Sequence, residues 1–137
     1  MAQAQILHGP GNAVPYTEKR QFKANGAITK GDVLTFYGTT GYTVDQASDI
    51  LPPIGVAAET AADGEWFDVI ISGFCDNVTC TTTDVGEYDM LYAVAGGDCD
   101  GIPYGTDVGV QGGGIFGMSL QAQTGTTITA AIIFKRV

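Results

Sequence analysis

The chain has 137 residues, 20 of them glycine, and its 15 acidic and 6 basic side chains give a formal net charge of −9. A chain of this length forms one domain and buries about two thirds of its unfolded surface, so it needs no disulfide or metal to fold. Frequent glycine disfavours long helices, no apolar run approaches the roughly 18 residues of a membrane span, and the N-terminus lacks the features of a signal peptide. We therefore expect a protein kept in a cytoplasm or in a particle assembled there.

The charges are segregated along the chain. Fourteen of the fifteen acids lie between Asp32 and Asp107. An anionic body argues against nucleic acid as the partner, because binding phosphate requires cations. Acids alone would keep a glycine-rich β protein soluble, but solubility does not explain why the cations are confined to the ends, at Lys19, Arg20, Lys23, Lys30, Lys135 and Arg136.

Residues 1–24 are predicted to form an extended N-terminal arm, and residues 25–137 a single β domain. The segment "HGPGNAVPY" has glycine and proline at a spacing that excludes a helix. The arm is either a frayed terminus or a segment that becomes ordered on a partner.

From Ala27 onward the sequence predicts short strands separated by turns. The segment "AITKGDVLTFYG" predicts a turn at Lys30-Gly31 and a strand near Val33–Tyr37, and "GYTVDQA" predicts a second strand. A loop at "SDILPP" and a strand start at "PIGVAAE" precede "EWFDVIISGF", a long strand with one apolar face. The segment "CDNVTCTTT" could extend the sheet, and "TAAIIFKRV" predicts a last strand whose cations face solvent.

Two parts of this pattern recur in the same order. The segment "AITKGDVLTFY" aligns with "DVGEYDMLYAV" 57 positions later, and "IGVAAETAADGEWFDVII" aligns with "FGMSLQAQTGTTITAAII" 62 positions later. Hairpins resemble one another in general, but the shared order favours two pseudo-repeats, at about 27–74 and 84–134. Each would be a strand followed by a hairpin, which predicts an all-β, compact antiparallel barrel or sandwich. The insertion between them falls in the glycine-rich loop "GGDCDGIPYGTDVGVQGGG".

Few residues offer catalytic chemistry. The single histidine, His8, lies in the arm without a nucleophile held beside it, and no pair of acids stands out from the acids of turns. The segment "GGDCDG" (96–101) has part of a calcium loop but lacks the distal glutamate, and "QGGGIFG" lacks the lysine of a phosphate loop. We therefore expect no enzyme, no catalytic residue, no metal and no cofactor.

Three cysteines, Cys75, Cys80 and Cys99, make an odd number. In a cytosolic product thiols are normally reduced, and the spacing of these residues is not that of a zinc site. A bridge between Cys75 and Cys80 across a turn is the alternative. Trp66 and Phe67 are expected to fill the core, although an exposed Trp66 would serve a subunit contact.

The segments "AITKGDVL" and "PIGVAAETAADGEWFDVIISGF" resemble small bacteriophage capsid cement, or head decoration, proteins. The likeness covers residues 26–74 and rests on turn and strand positions, so it carries no catalytic residue. The matching positions are Gly31, Asp32, Gly55, Val56, Ala57, Ala61, Ala62, Gly64, Glu65, Val69, Gly73 and Phe74.

The resemblance implies a structural virion protein that binds the outside of a phage capsid as a homotrimer and stabilises contacts between coat subunits. The partner would be the major capsid protein, with no nucleic acid and no membrane involved. The expected trimer contacts are Trp66, Tyr88 and Tyr92. The capsid-binding arm would pair with an exposed strand edge of the coat, using Val14, Pro15, Tyr16, Lys19, Arg20, Phe22 and Lys23.

A carbohydrate- or host-surface-binding β-sandwich is the alternative function. Aromatic residues on loops would support it, and the candidates are Tyr88, Tyr92 and Tyr104. The sequence leaves both functions open, and a hydrolase with a carboxylate pair is the third and weakest hypothesis.

Overall fold

The computed structural model describes residues 16–48, 52–81, 84–103 and 114–136. These segments contain a short 3-10 turn at Ala95–Gly97 and no helix long and apolar enough to cross a membrane. The all-β prediction is confirmed. The strands are β1 (Thr17–Ala24), β2 (Val33–Phe36), β3 (Thr43–Gln46), β4 (Gly55–Ala57), β5 (Trp66–Cys75), β6 (Val78–Thr79), β7 (Met90–Val94), β8 (Asp98–Ile102), β9 (Ile115–Ser119), β10 (Thr127–Ile128) and β11 (Ala131–Ile133).

Strands β1 to β5 pair in a closed ring, which we call the first barrel. Their order is β1-β3-β2-β4-β5, and β5 pairs back onto β1. The pairs are antiparallel, as predicted, except that β1 and β3 run parallel where Ala24 lies beside Val44. Alternate residues of β5 point inward, so Phe67, Val69 and Ile71 are buried while Trp66 is exposed. The barrel interior holds Phe22, Ala24, Ile28, Leu34, Val44, Ile54, Ala57, Ala61, Phe67, Val69 and Ile71.

A second ring, the second barrel, uses the end of β5 and the strands that follow it. Strand β7 pairs with β8 and β9, and β9 pairs with β11. Strand β11 pairs with the last residues of β5, while β10 pairs with β6. A single parallel bridge between Cys80 and Cys99 joins β6 to β8 and completes the ring. Strand β5 therefore belongs to both barrels.

The pairing register is the same in the two barrels. Leu34 pairs with Gly55 in the first barrel, and Leu91 pairs with Gly117 in the second. Both glycines are required by close approach, because a Cβ atom would collide with the carbonyl oxygen of Ile70 or of Ile132. The sequence alignment had placed these residues opposite each other, with Gly55 on Gly117.

The turn before β2 is also built in the same way as the turn before β7. The Asp32 carboxylate accepts a hydrogen bond of 2.9 Å from the Thr29 amide, and the Asp89 carboxylate accepts one of 2.8 Å from the Gly86 amide. Both carboxylates are buried, and a buried carboxylate has to be hydrogen-bonded. These bonds explain why an aspartate precedes each strand.

The predicted boundaries of the arm and of the repeats need correction. Residues 17–24 are not an arm, because they form β1 and complete the first barrel. The matching units therefore begin near Thr17 and Gly73 rather than at 27 and 84. In the second barrel the place of β1 is taken by the end of β5 together with β6, where Cys80 bridges Cys99 as Ala24 pairs with Val44.

The outer face of the first barrel forms the junction with the second. Val33, Val56 and Ile70 point away from the interior of the first barrel, yet they are buried in one apolar cluster with Leu91 and Phe116 of the second. Large apolar side chains on both faces of β5 explain why its sequence is almost continuously apolar.

Replacing the equivalent glycine of either barrel with alanine should destabilise the protein. We expect Gly55→Ala and Gly117→Ala each to lower the free energy of unfolding by about 2–3 kcal/mol, because the backbone oxygen opposite has to move. Gly114→Ala is the matched control, since its nearest atoms lie 3.9 Å away, and it should stay within about 0.5 kcal/mol. Urea unfolding followed by circular dichroism measures this, and equal effects at Gly55 and Gly114 would contradict the register.

Candidate interaction surfaces

Strand β1 has partners on both of its edges. It pairs with β5 from Thr17 to Lys23 and with β3 at Lys23 and Ala24. Phe22, predicted to anchor the arm on a coat protein, is only 5% exposed and fills the first barrel. One edge of β1 is therefore taken up by β5 along most of the strand, whereas the other edge pairs with β3 only at Lys23 and Ala24. Val14 and Pro15 lie outside the described residues.

One end of β1 carries a cluster of charges around Glu18, which we call the basic end. The Glu18 carboxylate accepts hydrogen bonds from the Lys135 ammonium and the Ser72 hydroxyl, and it lies 3.1 Å from Lys135 in the closest ion-pair contact and 4.0 Å from Arg20. The hydrogen bonds from Lys135 and Ser72 hold the pKa of Glu18 below its usual value. The C-terminal cations are thereby placed beside β1.

The basic end has more cations than acids. Besides Arg20 and Lys135 it includes the exposed Lys19 on β1, and Arg136 follows Lys135 in the chain. A shallow cleft of about 170 Å³ opens beside Lys19, lined by Thr17, Lys19, Ile70, Phe74 and Asp76. Four of the chain's six cations therefore lie at or next to one end of an acidic protein.

The opposite end of β1 meets a group of aromatic residues, of which only Trp66 is among the contacts predicted from the sequence. We call Phe36, Tyr37, Tyr42 and Trp66 the aromatic end. The Tyr42 and Trp66 rings stack with centroids 5.4 Å apart and planes 21° apart. Phe36 packs edge-on against the buried Phe22 ring at 5.9 Å. All four are at least one third exposed.

Strand register brings the aromatic end together. Lys23 near the end of β1 pairs with Trp66 at the start of β5 and with Thr43 at the start of β3. Phe36 ends β2 and Tyr37 follows it beside the same hairpin, where the Tyr37 amide donates to the Thr43 carbonyl. The segment "TFYGTTGYT", with aromatics on both sides of a glycine turn, was the signal in the sequence that could have identified this cluster.

Aromatic residues are missing from the matching positions of the second barrel. Phe36 pairs with Val44, and the corresponding pair is Ala93 with Cys99. Trp66 lies beside Lys23 of β1, and the corresponding residue beside β6 is Thr127. The second barrel closes without large rings at these positions, so the fold does not require them.

The three predicted trimer contacts are divided between the two barrels. Trp66 belongs to the aromatic end of the first barrel, whereas Tyr88 and Tyr92 belong to the second. Tyr88 is about half exposed in a turn and has a positive φ of 68°. Tyr92 is half-buried on β7, and its hydroxyl donates to the Asp100 carboxylate at 3.3 Å. Burial and the Asp100 charge raise the pKa of Tyr92. Tyr104 lies outside the described residues.

The segment 96–101, compared above with a calcium loop, is mostly strand. Asp98 and Asp100 lie on β8, paired with β7, and the turn is confined to Ala95–Gly97. Burial, with the Asp32 charge nearby, raises the pKa of Asp98. Across the described parts of the chain, no three or more metal-ligating side chains are grouped as in a metal site.

The three thiols are free and lie in the core of the second barrel. Cys80 and Cys99 take the positions that Ala24 and Val44 have in the first barrel, so they act as small apolar side chains. Burial raises the pKa of the Cys75 and Cys80 thiols to about 11 and raises that of Cys99 as well.

Comparison with known proteins gives a likeness in fold. No family model and no curated protein matches the chain. Among solved structures it is similar to the head fiber gp8.5 N base in bacteriophage phi29, with a TM-score of 0.63 and 14% sequence identity over 87% of this chain and 95% of that one. At this identity the likeness concerns the fold alone.

The buried thiols predict a loss of stability at alkaline pH. An unfolded thiol titrates near about pH 8.5, whereas burial raises the pKa of Cys80 to about 11. Between these values the unfolded chain has released protons that the folded chain keeps. The free energy of unfolding should therefore be fully retained below about pH 8.5 and fall as the pH rises towards 11.

Thermal unfolding between pH 7 and 10.5 measures this effect. The variant Cys80→Ala/Cys99→Val introduces the residues found at the matching positions of the first barrel, and its melting temperature should fall less steeply with pH. Cys75 and the tyrosines, which also titrate at alkaline pH, are present in both proteins. A difference between the two slopes therefore reports on Cys80 and Cys99 alone. Identical slopes would show that these two thiols do not titrate as their burial implies.

Proposed function

We propose that this chain is a structural protein of a bacteriophage virion, bound to the outer surface of the head as a homotrimer. Its partner is the major capsid protein, and its role is to stabilise contacts between coat subunits by adhesion, without turnover of a substrate. The single observation that carries the proposal is the likeness in fold to a phage head fiber base, which spans nearly the whole of both chains. The resemblance of residues 26–74 to capsid cement proteins supports it independently.

The basic end is the surface that we assign to the coat. Lys19, Arg20 and Lys135 lie there on a protein with a net charge of −9. A local excess of cations steers an acidic protein onto an acidic partner in one orientation. Tyr16, the residue before β1, lies at the same end of the strand.

Attachment through many copies explains why a modest contact surface is enough. A trimer offers three basic ends, and binding one end raises the local concentration of the other two. The individual contact can then be small, and the whole complex still dissociates slowly. Electrostatic attraction predicts that binding weakens as salt is added.

Deleting residues 1–15 should weaken binding to heads at least about tenfold while leaving the protein folded, because β1 stays intact. Co-sedimentation with purified heads assembled without this chain, from the phage that encodes it, measures the affinity. A deletion of residues 1–24 is unsuitable for this test, since it removes β1 and opens the first barrel. Full binding by the shortened chain would overturn the role of the N-terminal segment.

Reversing one charge at the basic end tests the assigned surface. Lys19→Glu should weaken head binding about fivefold to tenfold at low salt, and the difference should shrink at high salt. Lys30→Glu is the matched control, because Lys30 is exposed but lies outside the basic end. If both variants bind equally well, the coat contacts another surface, and if the wild type never sediments with heads, the proposed function is wrong.

A further inference from the structure

We propose that the aromatic end is the surface through which one copy of this chain binds a second copy. Phe36, Tyr37, Tyr42 and Trp66 are 36, 51, 45 and 54% exposed. At about 150–250 Å² for a whole aromatic side chain, they present roughly 350 Å² to solvent. An exposed apolar area of this size matches the largest patch on an ordinary small protein, and such patches are often functional.

The second barrel shows that these aromatics serve something other than folding. Thr127 and Ala93 occupy the positions of Trp66 and Phe36 in the same strand pairings. Because the same ring of strands closes with small side chains there, the large rings in the first barrel are not needed to complete it. Their exposure costs solubility, and burial in an interface removes that cost.

The distribution of charge favours a second copy of this chain as the partner that binds the aromatic end. The segment from Val33 to Val44 has no charged residue, although the chain as a whole has a net charge of −9. Two copies of so acidic a protein repel each other wherever their acids face one another. The aromatic end is a surface that a second acidic copy can approach, and loss of charge with gain of Tyr, Trp and Phe is the composition of interface cores.

The charges at the edge of the patch suit contact between copies. Lys23 and Glu65 are both exposed and flank Trp66, one in the paired position on β1 and the other just before it in the chain. A face with both signs at its rim can pair Lys23 of one copy with Glu65 of the next. Along β1, Lys19 of the basic end lies four residues before Lys23, about 13 Å away at 3.3 Å per residue. The two surfaces therefore occupy different stretches of the strand.

This inference deepens the proposed homotrimer and rests on it only for the number of copies. Trp66 is the single tryptophan of the chain, so its fluorescence reports directly on the aromatic end. On dilution of the full-length protein we expect its emission maximum to shift to longer wavelength as the copies separate. Sedimentation velocity over the same concentrations should show the mass falling in parallel.

Variants locate the contact. Trp66→Thr introduces the residue of the second barrel and should raise the dissociation constant for self-association about thirtyfold or more, as expected for a buried anchor residue. Trp66→Phe, which keeps an aromatic ring, should stay within about threefold. Tyr88→Asn is the matched control, because Tyr88 is equally exposed elsewhere and asparagine tolerates its positive φ. Circular dichroism confirms that each variant is folded.

Three results would overturn the inference. They are a monomer at every concentration with a constant emission maximum, self-association of Trp66→Thr as tight as that of the wild type, and dissociation caused equally by Tyr88→Asn. Failure here is distinguishable from failure of the proposed function. If the protein is a monomer that still binds heads, only the proposed contact between copies is wrong. If Trp66 becomes shielded from solvent only when the protein is bound to heads, the aromatic end binds the coat instead.

Discussion

The structure depends on the pairing of β1 with β5. This pairing turns a row of five strands into a closed ring and buries Phe22 opposite Phe67. It takes up one edge of β1 along most of the strand, while β3 pairs with the other edge only at Lys23 and Ala24. The barrel also offers side chains to partners, and the two ends of β1 differ in chemistry, one basic and the other aromatic.

Comparison of the two barrels distinguishes the residues that the fold requires from residues that have another role. Features present in both barrels have a structural cause: the aspartate that holds the turn before β2 and β7, and the glycine that allows a carbonyl to approach β4 and β9. Features present in one barrel alone need another explanation. The cations of β1 and the stacked Tyr42 and Trp66 belong to this second group, which is why we assign the interactions of the protein to them. The same comparison assigns Cys80 and Cys99 to the core.

Much of the fold could be predicted from the sequence because alternation and glycine turns are local signals. The strands around Val33–Phe36 and Trp66–Cys75 were found from alternation, and the shared order of two segments indicated two units. Strand β1 was missed because "TEKRQF" has mostly polar residues and is a strand through its pairing with β5, which is distant in sequence. The aromatic end was missed as a cluster for a related reason: Trp66 is distant in sequence from Phe36 and Tyr42 and joins them only through the register of the strands.

Amide hydrogen exchange measures the central claim, that β1 is a wall of a closed barrel rather than an arm. The amides of β1 that pair with β5 should be protected to a similar degree as those of β5 itself, because neither strand can open without breaking the ring. Peptides covering residues 17–24 and 66–75, followed by mass spectrometry in the full-length protein, give the comparison. Slow exchange in both supports the closed ring. Complete exchange of residues 17–24 within seconds, while residues 66–75 remain protected, would contradict it.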